Sequence, residues 1–143
     1  MAGPTNKPYL FPLPKISDPR GNLTFVQNEC QIPFAIRRVY WIYDVPGGAI
    51  RGSHAFRRTR EVILALSGSF DVVLHDGLQE YVFHLNRAYQ AVYVPEMLWR
   101  TLSNFSTNAI ALICVSTPYD EADYIRDFQQ FTELATTGEK HSL

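Results

Sequence analysis

Short apolar and β-branched runs recur along the chain, separated by turn residues at fairly regular intervals, the hydrophobic pattern of an all-β sandwich or barrel. The first clear run covers residues 22–27, after the turn Asp18-Pro19-Arg20-Gly21. In residues 36–45, Val39, Trp41, Tyr43 and Val45 alternate with Arg38, Tyr40, Ile42 and Asp44, so both faces of that strand are occupied, and Pro46-Gly47-Gly48 closes it. Residues 61–66 and 70–74 join across Ser67-Gly68-Ser69, and His75-Asp76-Gly77 turns into residues 80–85, which together make a meander of hairpins. Residues 89–94 end at Pro95, residues 99–103 resume, and residues 109–116 form the most continuously apolar run. Only the tail departs from this pattern: Ala122, Ile125, Phe128 and Phe131 recur at every third position, which predicts a short C-terminal helix. The last residues, 136–143, read as a frayed end. With no internal repeat and no linker, the pattern predicts one all-β domain over residues 1–143, with a core of about residues 8–131.

Composition agrees with that picture. A chain of 143 residues that is 46% apolar, 13% aromatic and 19% charged is long enough to bury a core without disulfides. Thirteen Lys and Arg against 14 acidic residues leave a net charge of −1, so there is no basic footprint for nucleic acid. The arginines are bunched, however, with Arg37, Arg38, Arg51, Arg57, Arg58 and Arg60 in one third of the chain, either as a solvated face or as a phosphate-binding wall. Cys30 and Cys114 have no metal-ligand or redox spacing and read as free, buried thiols. No apolar run reaches membrane-helix length and residues 1–8 lack signal-peptide character, from which a cytoplasmic address is expected.

The candidate chemistry lies in Arg51-Gly-Ser-His54-Ala-Phe56-Arg-Arg-Thr-Arg-Glu61 and the run that follows it to Gly68. The spacing resembles the first motif of the cupin proteins: a Gly, then His-x-His, four residues, a Glu, six residues and a Gly. His54 and Glu61 match, while Phe56 replaces the second His. Pro95 to Asn104 has the spacing of the second cupin motif, with Arg100 where a further His would ligate metal. A catalytic metal needs about three protein ligands, and a guanidinium that keeps its proton repels a cation instead. The ligand count therefore points to metal-independent chemistry; a metal cupin with a non-standard ligand set around His54 and Glu61 is the competing reading.

Nearly the whole chain resembles one metal-independent branch of the cupins, the bacterial sugar-nucleotide 3,4-ketoisomerases that act on dTDP-4-keto-6-deoxyglucose. The resemblance is carried by Asp18-Pro-Arg-Gly-Asn-Leu, Ile32-Pro-Phe-Ala-Ile-Arg-Arg-Val-Tyr40, Arg51-Gly-Ser-His54-Ala, Val62-Ile-Leu-Ala-Leu-Ser-Gly-Ser69, Trp99 and Tyr119-Asp-Glu-Ala-Asp-Tyr-Ile-Arg126. It implies a jelly-roll β-barrel, a homodimer with exchanged N-terminal strand contacts, a dTDP-linked keto sugar as ligand and no cofactor.

Moving a carbonyl from C4 to C3 needs a base of near-neutral pKa, for which His54 is the candidate, and donors for the enediolate, supplied by Arg100 or Tyr40. The resemblance places Arg20 in a segment folded over the sugar. Arg38 and Arg51 suit a pyrophosphate, and Glu61 either orients His54 or pairs with an arginine. The family pattern has a second pocket histidine where this chain has Phe56. Either His54 suffices, or the protein handles another sugar, epimerises, or binds without turnover.

Overall fold

The computed structural model describes residues 7–141, and two five-stranded antiparallel sheets packed face to face form a jelly roll. In chain order the strands are β1 (Tyr9–Pro12), β2 (Ile16–Asp18), β3 (Gly21–Leu23), β4 (Arg38–Ile42), β5 (Arg51–Phe56), β6 (Glu61–Ser67), β7 (Phe70–His75), β8 (Glu80–Leu85), β9 (Gln90–Val94), β10 (Trp99–Ser103), β11 (Ile110–Val115) and β12 (Tyr124–Ile125), followed by the helix α1 (Phe128–His141). One sheet runs β1-β9-β6-β11-β4 and the other β12-β5-β10-β7-β8, with β2 and β3 forming a separate hairpin.

The alternation seen in the sequence sorts side chains between the inside and outside of this sandwich. Ile63 and Ala65 of β6, Val72 and Leu74 of β7, Val92 and Val94 of β9, and Ala111, Ile113 and Val115 of β11 meet in the space between the sheets. Their neighbours Val62, Leu64, Tyr93 and Cys114 face outward but are not exposed, because the segment carrying Ile32 and Phe34 lies across that face. This covering segment explains why only residues 22–23 of the run at 22–27 belong to a strand. Beyond Leu23 the chain leaves its hairpin to cross the sheet, with Val26 and Ile36 packed on the outer cluster and the Ile36 amide donating to the Asn28 side chain at 2.9 Å. Cys114 is buried, which pushes its thiol up to about 11, whereas Cys30 lies exposed in the turn before that crossing, contrary to the expectation of two buried thiols.

The tail also departs from expectation. Ala122 lies in a 3₁₀ turn (Glu121–Asp123), and Ile125 lies in β12, which pairs Tyr124 with Phe56 and Ile125 with Ala55; the helix begins only at Phe128. Burial of Asp123 decides this. Its carboxylate accepts from the Arg58 amide at 2.8 Å and from the Thr59 hydroxyl, pinning the segment along β5 before a helix can start. The three-residue spacing was a true burial signal, since Ile125 and Phe131 share one cluster with Ala55, but a strand and a helix supply it in turn. The helix continues through residues 136–141, where the sequence suggested fraying, and residues 142–143 lie outside the described part. Among the described residues no helix is long and apolar enough to cross a membrane.

Candidate active site

At one end of the inter-sheet space the apolar side chains give way to charged ones. Four strands converge there: β4 points Arg38 and Tyr40 inward, β5 brings Gly52 and His54, β6 contributes Glu61, and β10 contributes Arg100, which pairs in register with His54. The resulting cavity, of about 540 Å³, is lined by Arg38, Tyr40, Arg51, His54 and Arg100, and also by Trp41, Tyr43, Tyr124 and Arg126. Among the described residues, four arginines and no carboxylate face it. Such a wall attracts an anion, and guanidinium forks match phosphate geometry in pairs.

Glu61 lies behind this wall rather than in it. The Arg100 Nε sits 2.6 Å from Glu61 Oε1, both side chains are 1% exposed, and the Tyr40 hydroxyl donates to Glu61 Oε2 at 3.0 Å while accepting from Arg100 Nη2. Of the two roles the sequence left open for Glu61, the structure supports pairing with an arginine. Burial alone would weaken the Arg100 charge, but the adjacent carboxylate more than offsets it and raises the arginine's pKa. Burial, followed by the Glu61 charge, pushes the Tyr40 phenol upward as well. With its Nε and Nη2 turned to these partners, Arg100 has Nη1 buried without a hydrogen-bond partner.

That free nitrogen lies against Gly52. The glycine has φ +68°, and a Cβ there would stand 2.5 Å from Arg100 Nη1, so the absence of a side chain at residue 52 makes room for the guanidinium.

His54 is 7% exposed and held by rings: Phe56 lies edge-on at 4.8 Å and Tyr124 at 5.0 Å between centroids, and Phe56 and Tyr124 contact each other at 4.6 Å. Burial, then the positive charges of Arg100 and Arg126, hold its pKa down to about 3, so the imidazole is neutral at physiological pH. Its Nδ1 is buried with no partner. Phe56 therefore fills the second histidine position of the motif with an apolar ring that fixes the orientation of His54. Among the described residues no three His, Cys, Asp or Glu side chains gather as metal ligands, because Glu61 is committed to Arg100 and Tyr40.

Arg20 stands apart. It caps the β2–β3 hairpin with its side chain 90% exposed, pairs with Asp18 at 2.9 Å, and lines a separate hollow of about 350 Å³ on that hairpin. Trp41 and Tyr43 are 56% and 58% exposed at the cavity mouth. Tyr124 and Arg126 were not singled out for the site by the sequence, because their place depends on β12 pairing with β5. Their hints in the sequence are their place in the run Tyr119 to Arg126 that carries the family resemblance and their spacing, two residues apart and so on one face of an extended segment.

A jelly roll whose arginine-lined cavity also holds a buried imidazole defines a protein suited to an anionic ligand. Residues 6–136 match the FdtA family model, described as WxcM-like, C-terminal. The chain belongs to that family. It is 37% identical over 117 residues, 82% of this chain and 84% of the relative, to a TDP-4-oxo-6-deoxy-alpha-D-glucose-3,4-oxoisomerase of Aneurinibacillus thermoaerophilus. A 3,4-ketoisomerase from Helicobacter canadensis superposes with a TM-score of 0.89 at 32% identity, covering 92% of this chain and 99% of that one. The sugar 3,4-ketoisomerase QdtA from Thermoanaerobacterium thermosaccharolyticum, solved in complex with TDP, superposes with a TM-score of 0.89 at 31% identity, covering 91% and 95%.

Proposed function

We propose that this protein is a sugar-nucleotide 3,4-ketoisomerase that converts TDP-4-keto-6-deoxyglucose to a TDP-3-keto-6-deoxyhexose in deoxysugar biosynthesis. The observation that carries this reading is the placement of an unpartnered, neutral His54 beside Arg100 in a cavity faced by four arginines. The relatives named above act on that substrate class or are ketoisomerases with the same fold.

In the reaction, His54 takes the proton from C3, which is acidified by the neighbouring C4 carbonyl, and the electron pair forms the C3–C4 double bond of an enediolate. Arg100 Nη1, the free donor, meets the charge that develops on O4. The proton held by His54 is then delivered to C4, the O3 hydroxyl proton passes to O4, and the carbonyl is left at C3. Tyr40, whose hydroxyl is the one bonded to Arg100, is the residue we assign to carry that second proton. Arg38 and Arg51 take the diphosphate, and the exposed rings of Trp41 and Tyr43 at the mouth offer the base a surface to stack on. Burial is the larger cause of the lowered basicity of His54, and diphosphate charge offsets only the arginine field that adds to it.

Phe56 favours a second reading, in which the cavity binds the sugar nucleotide without turnover. Incubating the protein with TDP-4-keto-6-deoxyglucose in heavy water and following the proton NMR spectrum separates the two. A ketoisomerase exchanges the C3 proton and yields a 3-keto product; binding of TDP without any exchange leaves the second reading, and Phe56→His should then raise activity.

A homodimer belongs to the same reading. The β2–β3 hairpin leaves Ile16 and Leu23 exposed, and a second copy laid over it would cover them and give Arg20 a pocket to reach. Gel filtration with light scattering tests this, a monomer mass counting against it. A nucleotide-activated sugar as substrate goes with a cytoplasmic address.

A further inference from the structure

Arg126 lines the cavity, yet its guanidinium is engaged by a carboxylate outside the lining. Its Nε and Nη2 bond Glu121 Oε1 at 2.6 Å and Oε2 at 2.9 Å, and the Tyr119 hydroxyl donates to the same Oε2 at 2.6 Å. Both partners are more than half exposed, at 55% and 56%, and an ion pair so exposed to water contributes little stability. The guanidinium carbon also lies 4.3 Å from the centroid of the Tyr124 ring, whose other contacts include His54. The base of this arrangement is rigid, since Tyr124 pairs with Phe56 and the preceding Asp123 is buried against Arg58 and Thr59. A fixed stem thus carries an exchangeable head at the mouth of a cavity that attracts anions.

We propose that Arg126 is a diphosphate-binding residue held ready by Glu121, whose carboxylate occupies the guanidinium fork until the diphosphate of the substrate replaces it. The inference rests on reading the cavity as a sugar-nucleotide site. Carboxylate and phosphate fit the same fork, but the diphosphate carries more charge and is also met by Arg38, whose Nε is buried and unpartnered. Stacked on Tyr124, Arg126 changes partners by turning over the ring rather than by moving its backbone. Glu121 is not stranded by the exchange, because it keeps the Tyr119 hydroxyl.

A strut and a place-holder make opposite predictions for Glu121. If the pair only braces the mouth, Glu121→Gln weakens ligand binding as Arg126→Ala does. If Glu121 competes with the ligand, its removal tightens binding. Calorimetric titration with TDP and with thymidine, which lacks the diphosphate, distinguishes them. Arg126→Ala should weaken TDP on the order of tenfold, and Glu121→Gln should tighten it about threefold, while thymidine binding stays unchanged in both. With the keto sugar nucleotide as substrate, Arg126→Ala should raise KM far more than it lowers kcat, and Arg126→Lys should recover part of the loss. Weaker TDP binding by Glu121→Gln, or an Arg126→Ala protein that binds TDP as well as the wild type, overturns the inference alone. A wild-type protein that does not bind TDP removes the reading of the cavity and this inference with it.

Discussion

The two ends of the space between the sheets are built on the same strands and obey different rules. At one end, Phe70, Val72, Leu85 and Leu102 are fully buried and need only match in volume. At the other, β6 begins its inward row with Glu61 and β10 begins its own with Arg100, charges as deeply buried as any leucine. Burial is favourable in itself for the first group. For the second it is tolerable only because each charge faces the other at 2.6 Å, with Tyr40 closing the cluster. Such a pair contributes little net stability, yet losing one member leaves the other stranded. Its value lies in fixing Arg100 Nη1 beside His54, where a donor is wanted.

This contrast can be broken from either side. The largest effect is expected from His54→Asn, which removes the base and should lower turnover by roughly a thousandfold in the NMR assay, with TDP binding retained by thermal shift. Turnover within tenfold of wild type would take the role of base away from His54. Glu61→Gln should cost about 3 kcal/mol in denaturant unfolding, because Arg100 is left buried with its charge unmatched, and should also slow turnover as Arg100 loses its fixed position. Leu85→Ala at the apolar end should cost a similar amount, about 3 kcal/mol, with kcat unchanged in the residual folded protein. Equal losses of kcat in these two variants would erase the distinction between the ends. Gly52→Ala should cost about 2 kcal/mol through its left-handed backbone, while the new methyl displaces Arg100 Nη1 and lowers kcat.

The smallest effect concerns pH. The pKa of His54 falls from its ordinary value of 6.5 to about 3 in the folded protein, so between those values the unfolded chain binds more protons. Stability contributed by the neutral, buried ring is therefore complete above pH 6.5 and lost as pH falls toward 3. The wild type should lose stability more steeply than His54→Asn over that window, by up to about one proton in slope. Parallel curves would show that His54 is not held neutral.

Much of the strand placement could be read directly from the chain, because short apolar or alternating runs in residues 61–66, 70–74, 80–85 and 99–103 are bounded by turn residues that mark their ends. Where local pattern and burial come from different partners, that reading failed. Residues 24–27 look like a strand but serve as a cover, and Ala122 and Ile125 look helical but lie in a 3₁₀ turn and a strand. The site divided in the same way. His54, Arg100 and Glu61 were visible as a motif with two ligand positions altered, while Tyr124, Arg126 and the steric need for Gly52 depend on strands far apart in sequence.

By itself, the sequence determined an all-β chain of this family, with one histidine and a crowd of arginines in place of a set of metal ligands. Residue type and spacing suffice for that, since a guanidinium cannot give up its proton to a metal and alternation needs no partner to be read. Only the tertiary structure decided which arginines face the cavity, that Glu61 serves Arg100 rather than His54, and that Arg20 stands on a separate hairpin. Those outcomes depend on distances of a few ångströms between side chains on different strands, set by sheet register and by burial of the groups beneath them.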